Sequence, residues 1–264
     1  VDRGFREIVL TGVNISRYDD KGVGFSSLVE KMLQVDGDFR LRISSLEPDR
    51  IDEHFLDLFS HPRMAPHLHL CMQSGSERIL LQMRRQYTAS EYRRITERLL
   101  TRYPDFNLTT DCIVGFPGET DDDFQATCNM IESVGFSHVH TFPYSRRAGT
   151  RAERMPDQVP ESVKKERGRL VRDLGYEGKL RYRERMAGKT ERLLVEQIQD
   201  GYALGYTEHY VPVEVKAPDP EHSGNLRNQF LEVRLDPFCP PKQRNPESDL
   251  RMSATLVGGF HPVR

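Results

Sequence analysis

The chain has 264 residues, 37% apolar and 30% charged, with a net charge of −2. That composition describes a globular protein with room for one large domain, or one medium and one small. No apolar run approaches the roughly 18 residues of a membrane span. The start, "VDRGFREIVL", lacks a signal-peptide layout and begins without Met in mid-pattern, as a piece of a longer protein would. The near-balanced charge gives no global case for nucleic-acid binding. Four cysteines, Cys71, Cys112, Cys128 and Cys239, stand too far apart for a zinc knuckle or a compact cluster loop and read as ordinary thiols of a cytoplasmic protein.

Short β-like runs alternate with helical patterns over the first 145 residues. Strands are expected at Arg6–Gly12, Phe39–Ser45, His67–Gln73, Leu108–Gly115 and His138–Ser145, from period-two alternation or short apolar runs. Helices are expected between them, at about Phe25–Val35, Ile51–Phe59, Ser76–Met83, Ser90–Thr101 and Thr120–Ser133. Strands each followed by a helix mean βαβ units and a parallel sheet, either doubly wound or barrel-like. In both arrangements sites form at the carboxyl ends of the strands. Here those ends read "TGVN", "SSLEP", "QSGS", "GFPGET" and "FPYSRRAGT", all polar or glycine-rich. A long helical pattern opens at Pro160 and ends near Gly188, and short strands with turn residues follow as a small all-β module. From Tyr144 to Arg192 there are 15 basic and 8 acidic side chains, which reads either as a solvated helix face or as a phosphate-binding ridge.

Gly115 and Gly118 bare the backbone where a strand meets a helix, which suits close approach of a planar ligand or a tight capped turn. Glu119 can accept from ligand hydroxyls. Gln73, Ser74 and Ser76 surround Gly75 as a ribose or carboxylate site, or as an N-cap. Arg84 or Arg85 can grip a carboxylate or phosphate as a planar fork. "HLHL" and "HVHT" set His67 with His69, and His138 with His140, on one face of each strand. Four inward histidines allow a metal-dependent barrel hydrolase, or simply a polar layer. Tyr202, Tyr206 and Tyr210 on a small barrel can stack on bases or build its core.

Together "EIVLTGVNIS", "RISSLEP", "HLHLCMQSGSERILLQMRRQYT", "TTDCIVGFPGET", "FSHVHTFPYSRRAGTRAERM" and "GYALGYTEHYVPVEV" resemble the radical S-adenosylmethionine methylthiotransferases, most closely the branch acting on threonylcarbamoyladenosine in tRNA. The resemblance implies a partial (β/α)6 barrel lacking its first strand over residues 1–158, a basic linking helix over 159–188, and an RNA-binding TRAM barrel, OB-like, over 189–264. It implies S-adenosylmethionine across the strand ends, held by Ser45, Glu47, Gln73, Ser74 and Gly115, with Phe142 and Tyr144 as the adenine wall. Arg85, Arg147, Arg169, Arg172, Arg181 and Tyr206 are the implied substrate contacts, and the partners implied are a tRNA anticodon stem-loop and an electron-donor protein. The family uses two 4Fe–4S clusters, and their cysteine triads do not occur in this sequence. The expected reaction is methylthiolation of C2 of N6-threonylcarbamoyladenosine at position 37, with this chain alone inactive. A non-catalytic RNA-binding module is the remaining alternative.

Overall fold

The computed structural model describes residues 1–218, 226–245 and 248–257. The N-terminal part is α/β. β1 (Glu7–Leu10) pairs in parallel with β4 (Arg40–Ile43), and between them lie the small ribbon of β2 (Asp19–Asp20) with β3 (Val23–Gly24) and helix α1 (Phe25–Leu33). β5 (Ser45–Leu46), β6 (His67–Leu70), β7 (Asn107–Val114) and β8 (His138–Pro143) form a second parallel set in that order. A bridge from Leu41 to Met64 joins the two sets. Spatial order therefore follows chain order without the reversal that defines a doubly wound sheet. The expected second strand is split: after Ser44 donates to the Leu10 carbonyl at 2.9 Å, the chain leaves β1 and pairs with β6 instead.

Helices α2 (Glu53–Asp57), α3 (Glu77–Gln82), α4 (Ala89–Arg102) and α5 (Asp121–Val134) connect these strands. Their ends obey local chemistry. Thr88 with Glu91, and Thr120 with Asp123, close capping boxes at α4 and α5. Asp121, Asp122 and Asp123 meet the positive end of the α5 dipole. The helices bury one face on the sheet, where Leu41, Ile43, Leu68, Leu70, Cys112 and Val114 are almost fully excluded from water. Each such aliphatic side chain contributes about 1.5–3 kcal/mol. Tyr92, equally buried, donates its hydroxyl to the Leu70 carbonyl at 2.8 Å, so no polar atom is stranded.

Helix α6 (Glu161–Met186) packs on β8 and leads into the second part. There β9 (Thr190–Gln199), β10 (Tyr202–Tyr206), β11 (Pro212–Lys216), β12 (Phe230–Leu235) and β13 (Met252–Leu256) close a five-stranded barrel in the order β10-β11-β13-β12-β9. Val195, Ala203, Val213, Val233 and Met252 fill it, and Tyr182 and Met186 of α6 pack into the same core. The expected module also includes residues 219–225, 246–247 and 258–264, which lie outside the described residues. Barrel and sheet are joined by polar contacts: Tyr182 donates to the Asp105 carbonyl at 2.9 Å and Asn107 to the His209 carbonyl at 2.6 Å. Among the described residues, no helix is long and apolar enough to cross a membrane.

Candidate cofactor and nucleoside site

A cavity of about 640 Å³ opens at the carboxyl ends of β6, β7 and β8. Gln73, Ile113, Phe116, Phe142 and Tyr144 line it from the strand ends. Gln73 has a left-handed backbone, φ 63°. That conformation, unfavourable for a non-glycine residue, is clamped from β7: the Gln73 amide donates to the Asp111 carbonyl, and its carbonyl accepts from Ile113, both at 2.9 Å. The side chain is thereby set at the cavity wall. Tyr144 stands edge-on to Phe116, ring centres 5.3 Å apart, with the Lys164 ammonium 5.3 Å over its ring. Its hydroxyl is buried without a partner. Phe142 remains half exposed. Arg84, Arg85 and Arg147 complete the opposite rim, and Arg85 is tied to Glu47 at 2.8 Å.

Several residues named from sequence do other work. Gly115 needs its glycine, with φ +72°, but the occupant over its bare backbone is the stem of Lys164, which a Cβ would overlap. Glu119 is not free for a ligand: it accepts from the Gly115 amide at 2.7 Å and is ion-paired with buried Arg167 at 2.7 Å. Ser74 is buried and faces Thr127 of α5 at 3.3 Å. Ser45 and Tyr206 line a different cavity, described next. Arg169, Arg172 and Arg181 are exposed on α6, away from both cavities, and Arg169 is paired with Glu166 and Asp173. The expected basic ridge is divided, because Lys164, Arg167, Lys179 and Arg183 of α6 point inward and are buried.

The second cavity, about 540 Å³, lies on the seam between sheet and barrel. His67 and His69 of β6, Thr109 of β7, and His138 and His140 of β8 form its floor. Lys179 and Arg183 of α6, with Tyr206 and Tyr210, form its roof. Because alternate residues of a strand share a face, His67 and His69 of β6, Thr109, Asp111 and Ile113 of β7, and His138, His140 and Phe142 of β8 lie on one face of each strand. The two cavities thus lie along the same three strands, the first toward their carboxyl ends. Phe142 is two residues beyond His140, about 7 Å along the strand. Burial, reinforced by Lys179, His140, His69 and Arg183, pushes His138 down to about 3. Burial likewise holds His67 well below the ordinary imidazole range, and His140 below it.

The four histidines do not gather as a metal site. Among the described residues, the groups whose ligand atoms lie within 4.8 Å of one another are His69, Cys71 and Asp111, and Glu191, Glu208 and His209. Nor do the cysteines fit an iron–sulfur cluster, since neither group contains more than one of them. Burial pushes the Cys71 thiol up to about 12 and Cys128 to about 11, and raises Cys112 as well. Lys179 and Arg183 were hidden from sequence reading among the basic residues of α6. Their signal was position, since they share the three- and four-residue spacing of buried Val171, Gly175, Tyr182 and Met186.

Residues 1–131, which include the strands from β1 to β7, match the family model described as the Radical SAM superfamily. The chain is 40% identical over 267 residues to the threonylcarbamoyladenosine tRNA methylthiotransferase MtaB of Thermotoga maritima, covering 100% of this chain and 58% of that protein. It is 35% identical over 247 residues to the tRNA-2-methylthio-N(6)-dimethylallyladenosine synthase of Stutzerimonas stutzeri, covering 92% and 56%. Over nearly its whole length the chain is thus similar to tRNA methylthiotransferases, and over residues 1–131 to the Radical SAM superfamily. It spans about half the length of the curated relatives it matches. Among solved structures, coproporphyrinogen III oxidase (HemN) from Escherichia coli, a radical SAM enzyme, aligns with a TM-score of 0.45 at 17% identity, over 58% of this chain and 37% of that one.

Proposed function

We propose that this chain is the S-adenosylmethionine- and RNA-binding part of a tRNA methylthiotransferase acting at C2 of N6-threonylcarbamoyladenosine at position 37. The N-terminal α/β part, residues 1–158, is read as a partial (β/α)6 barrel lacking its first strand, residues 159–188 as the linking helix, and residues 189–264 as a TRAM domain. The carrying observation is the strand-end cavity: an aromatic wall, a fixed amide at Gln73, an arginine rim and an unpartnered Tyr144 hydroxyl in one hollow. Its volume lies within the range of small-molecule sites. The aromatic rings suit an adenine face, Gln73 and Tyr144 its polar edge, and Arg85 or Arg147 a carboxylate.

S-adenosylmethionine supplies, together with a reduced 4Fe–4S cluster, the radical chemistry that activates an unreactive C–H bond. The residues of this chain bind and orient it at the strand ends. Because the cysteines here do not fit a cluster, the isolated chain binds S-adenosylmethionine but does not cleave it. The tRNA anticodon stem-loop is the expected partner of the barrel and of the exposed arginines of α6, and an electron-donor protein serves the cluster.

The test is isothermal titration of the chain with S-adenosylmethionine. Saturable one-to-one binding, weakened at least about tenfold in Gln73→Ala or Phe142→Ala, is expected from the loss of a hydrogen bond or a stacking face. Binding unaffected by either change would overturn the assignment.

A further inference from the structure

Lys179 and Arg183 are 3% and 5% exposed, and among the described residues neither has a carboxylate within ion-pair distance. Lys179 donates to the Ser248 carbonyl at 2.7 Å. Arg183 donates to the Leu250 and Asp249 carbonyls at 3.0 and 3.3 Å, and its Nη1 is buried without any partner. On the opposite wall of the same cavity His67 Nδ1 is also buried and unpartnered. A buried cation is strongly disfavoured unless an anion compensates it. Of the carboxylates that face this cavity none is ion-paired with these two: Glu7 is held by Arg40 and Arg42, Glu196 pairs with neither, and Asp249 favours both charges only from beyond ion-pair distance.

We infer that the seam cavity receives the carboxylate ending the N6 arm of the substrate nucleoside, with Lys179 and Arg183 as its cationic partners and His67 as a further donor. The inference rests on the functional reading above, in which the adenine ring reacts near the strand-end cavity. The strands common to both cavities supply the geometry. A carbamoyl-threonine arm carries its carboxylate about 5 Å beyond N6, comparable with the step of about 7 Å from Phe142 to His140. A base lying between the bound cofactor and His140 thus directs the carboxylate toward the seam. A dimethylallyl arm offers no charge and would leave both cations and the His67 nitrogen unmatched. A backbone phosphodiester fits less well, because sheet, helix and barrel wall the cavity and admit an end group more readily than a strand continuing both ways. Lys179 and Arg183 are in this account specificity-determining residues, distinct from those that hold the cofactor.

The experiment titrates the chain, saturated with S-adenosylmethionine, with four probes: N6-threonylcarbamoyladenosine, its methyl ester, N6-dimethylallyladenosine and adenosine 5′-monophosphate. The free acid should bind at least about tenfold more tightly than the ester or the dimethylallyl nucleoside, and Lys179→Gln should erase most of that difference. The acid–ester comparison on the unmodified chain does not depend on the variant folding. Equal binding of acid and ester, or no nucleoside binding while S-adenosylmethionine still binds, overturns the inference and leaves the cofactor site standing. Adenosine 5′-monophosphate binding as tightly as the acid, and depending on Lys179, overturns it in favour of a phosphate site. Absence of S-adenosylmethionine binding itself removes the reading on which the inference rests, and the inference with it.

Discussion

Arg42 Nη2 lies 3.0 Å from the Glu7 carboxylate on the neighbouring parallel strand, and the same guanidinium group donates to the Thr207 and Glu208 carbonyls of the barrel at 3.2 Å. Arg40, ion-paired with the same carboxylate, donates to the Arg192 and Tyr206 carbonyls. One acid therefore anchors two buried arginines that fasten the barrel to the sheet. Removing the acid leaves two uncompensated charges. Glu7→Gln should cost about 3–5 kcal/mol, measured by urea unfolding followed by circular dichroism. A loss below about 1 kcal/mol would show that the arginines find other partners.

Acid sensitivity has an identifiable source at Asp123. Burial alone disfavours its charge, but hydrogen bonds from Arg78, Ser76 and Thr120 outweigh burial and hold the carboxyl well below the usual range. The unfolded chain takes up this proton first. The stabilisation is therefore complete above about pH 4 and is lost as pH falls further. Asp123→Asn should lose about 1–3 kcal/mol at pH 7, with the gap to the parent chain narrowing at pH 3.

At the seam the sign is opposite in charge but similar in consequence. His138, pushed to about 3 by burial and by Lys179, His140, His69 and Arg183, stays neutral in the folded chain. The unfolded chain protonates near pH 6.5. Stability contributed by the neutral folded imidazole is thus present above that pH and declines as pH falls through 6.5 toward the folded value. Thermal unfolding between pH 5 and 7 should show this slope, and His138→Phe should flatten it. An unchanged slope would place the titration elsewhere.

Gly205 sits where β10 shifts register against β9, and a Cβ there would overlap the Leu194 carbonyl oxygen. Since the obstacle is backbone, Gly205→Ala should open the closed barrel and cost more than about 3 kcal/mol. Hydrogen exchange of the β9 and β10 amides is the direct check, with faster exchange expected there than in β6 or β7.

The five parallel strands were legible because each carries period-two alternation or an apolar run bounded by turn residues. The histidine pairs showed in the same way: "HLHL" and "HVHT" put His67, His69, His138 and His140 toward one cavity, as equal parity requires. What the sequence hid depends on partners far along the chain. Gly115 read as a bare platform for a ligand because Lys164, its occupant, comes 49 residues later on another element. The basic residues of α6 read as a surface ridge because cations usually face water. Lys164, Arg167, Lys179 and Arg183 instead cover the sheet and the seam, with their charges met by carbonyls, by Glu161, Glu119 and Asp121, or by nothing.

The central claim is that S-adenosylmethionine lies at the carboxyl ends of β6, β7 and β8. Methyl-labelled chain titrated with S-adenosylhomocysteine tests it most directly by NMR, since Ile113 and Met83 line that cavity while Ile198 and Met252 belong to the barrel. Saturable shifts at Ile113 and Met83, with Ile198 and Met252 unmoved, are predicted. Shifts confined to the barrel, or none at saturating ligand, would contradict the account.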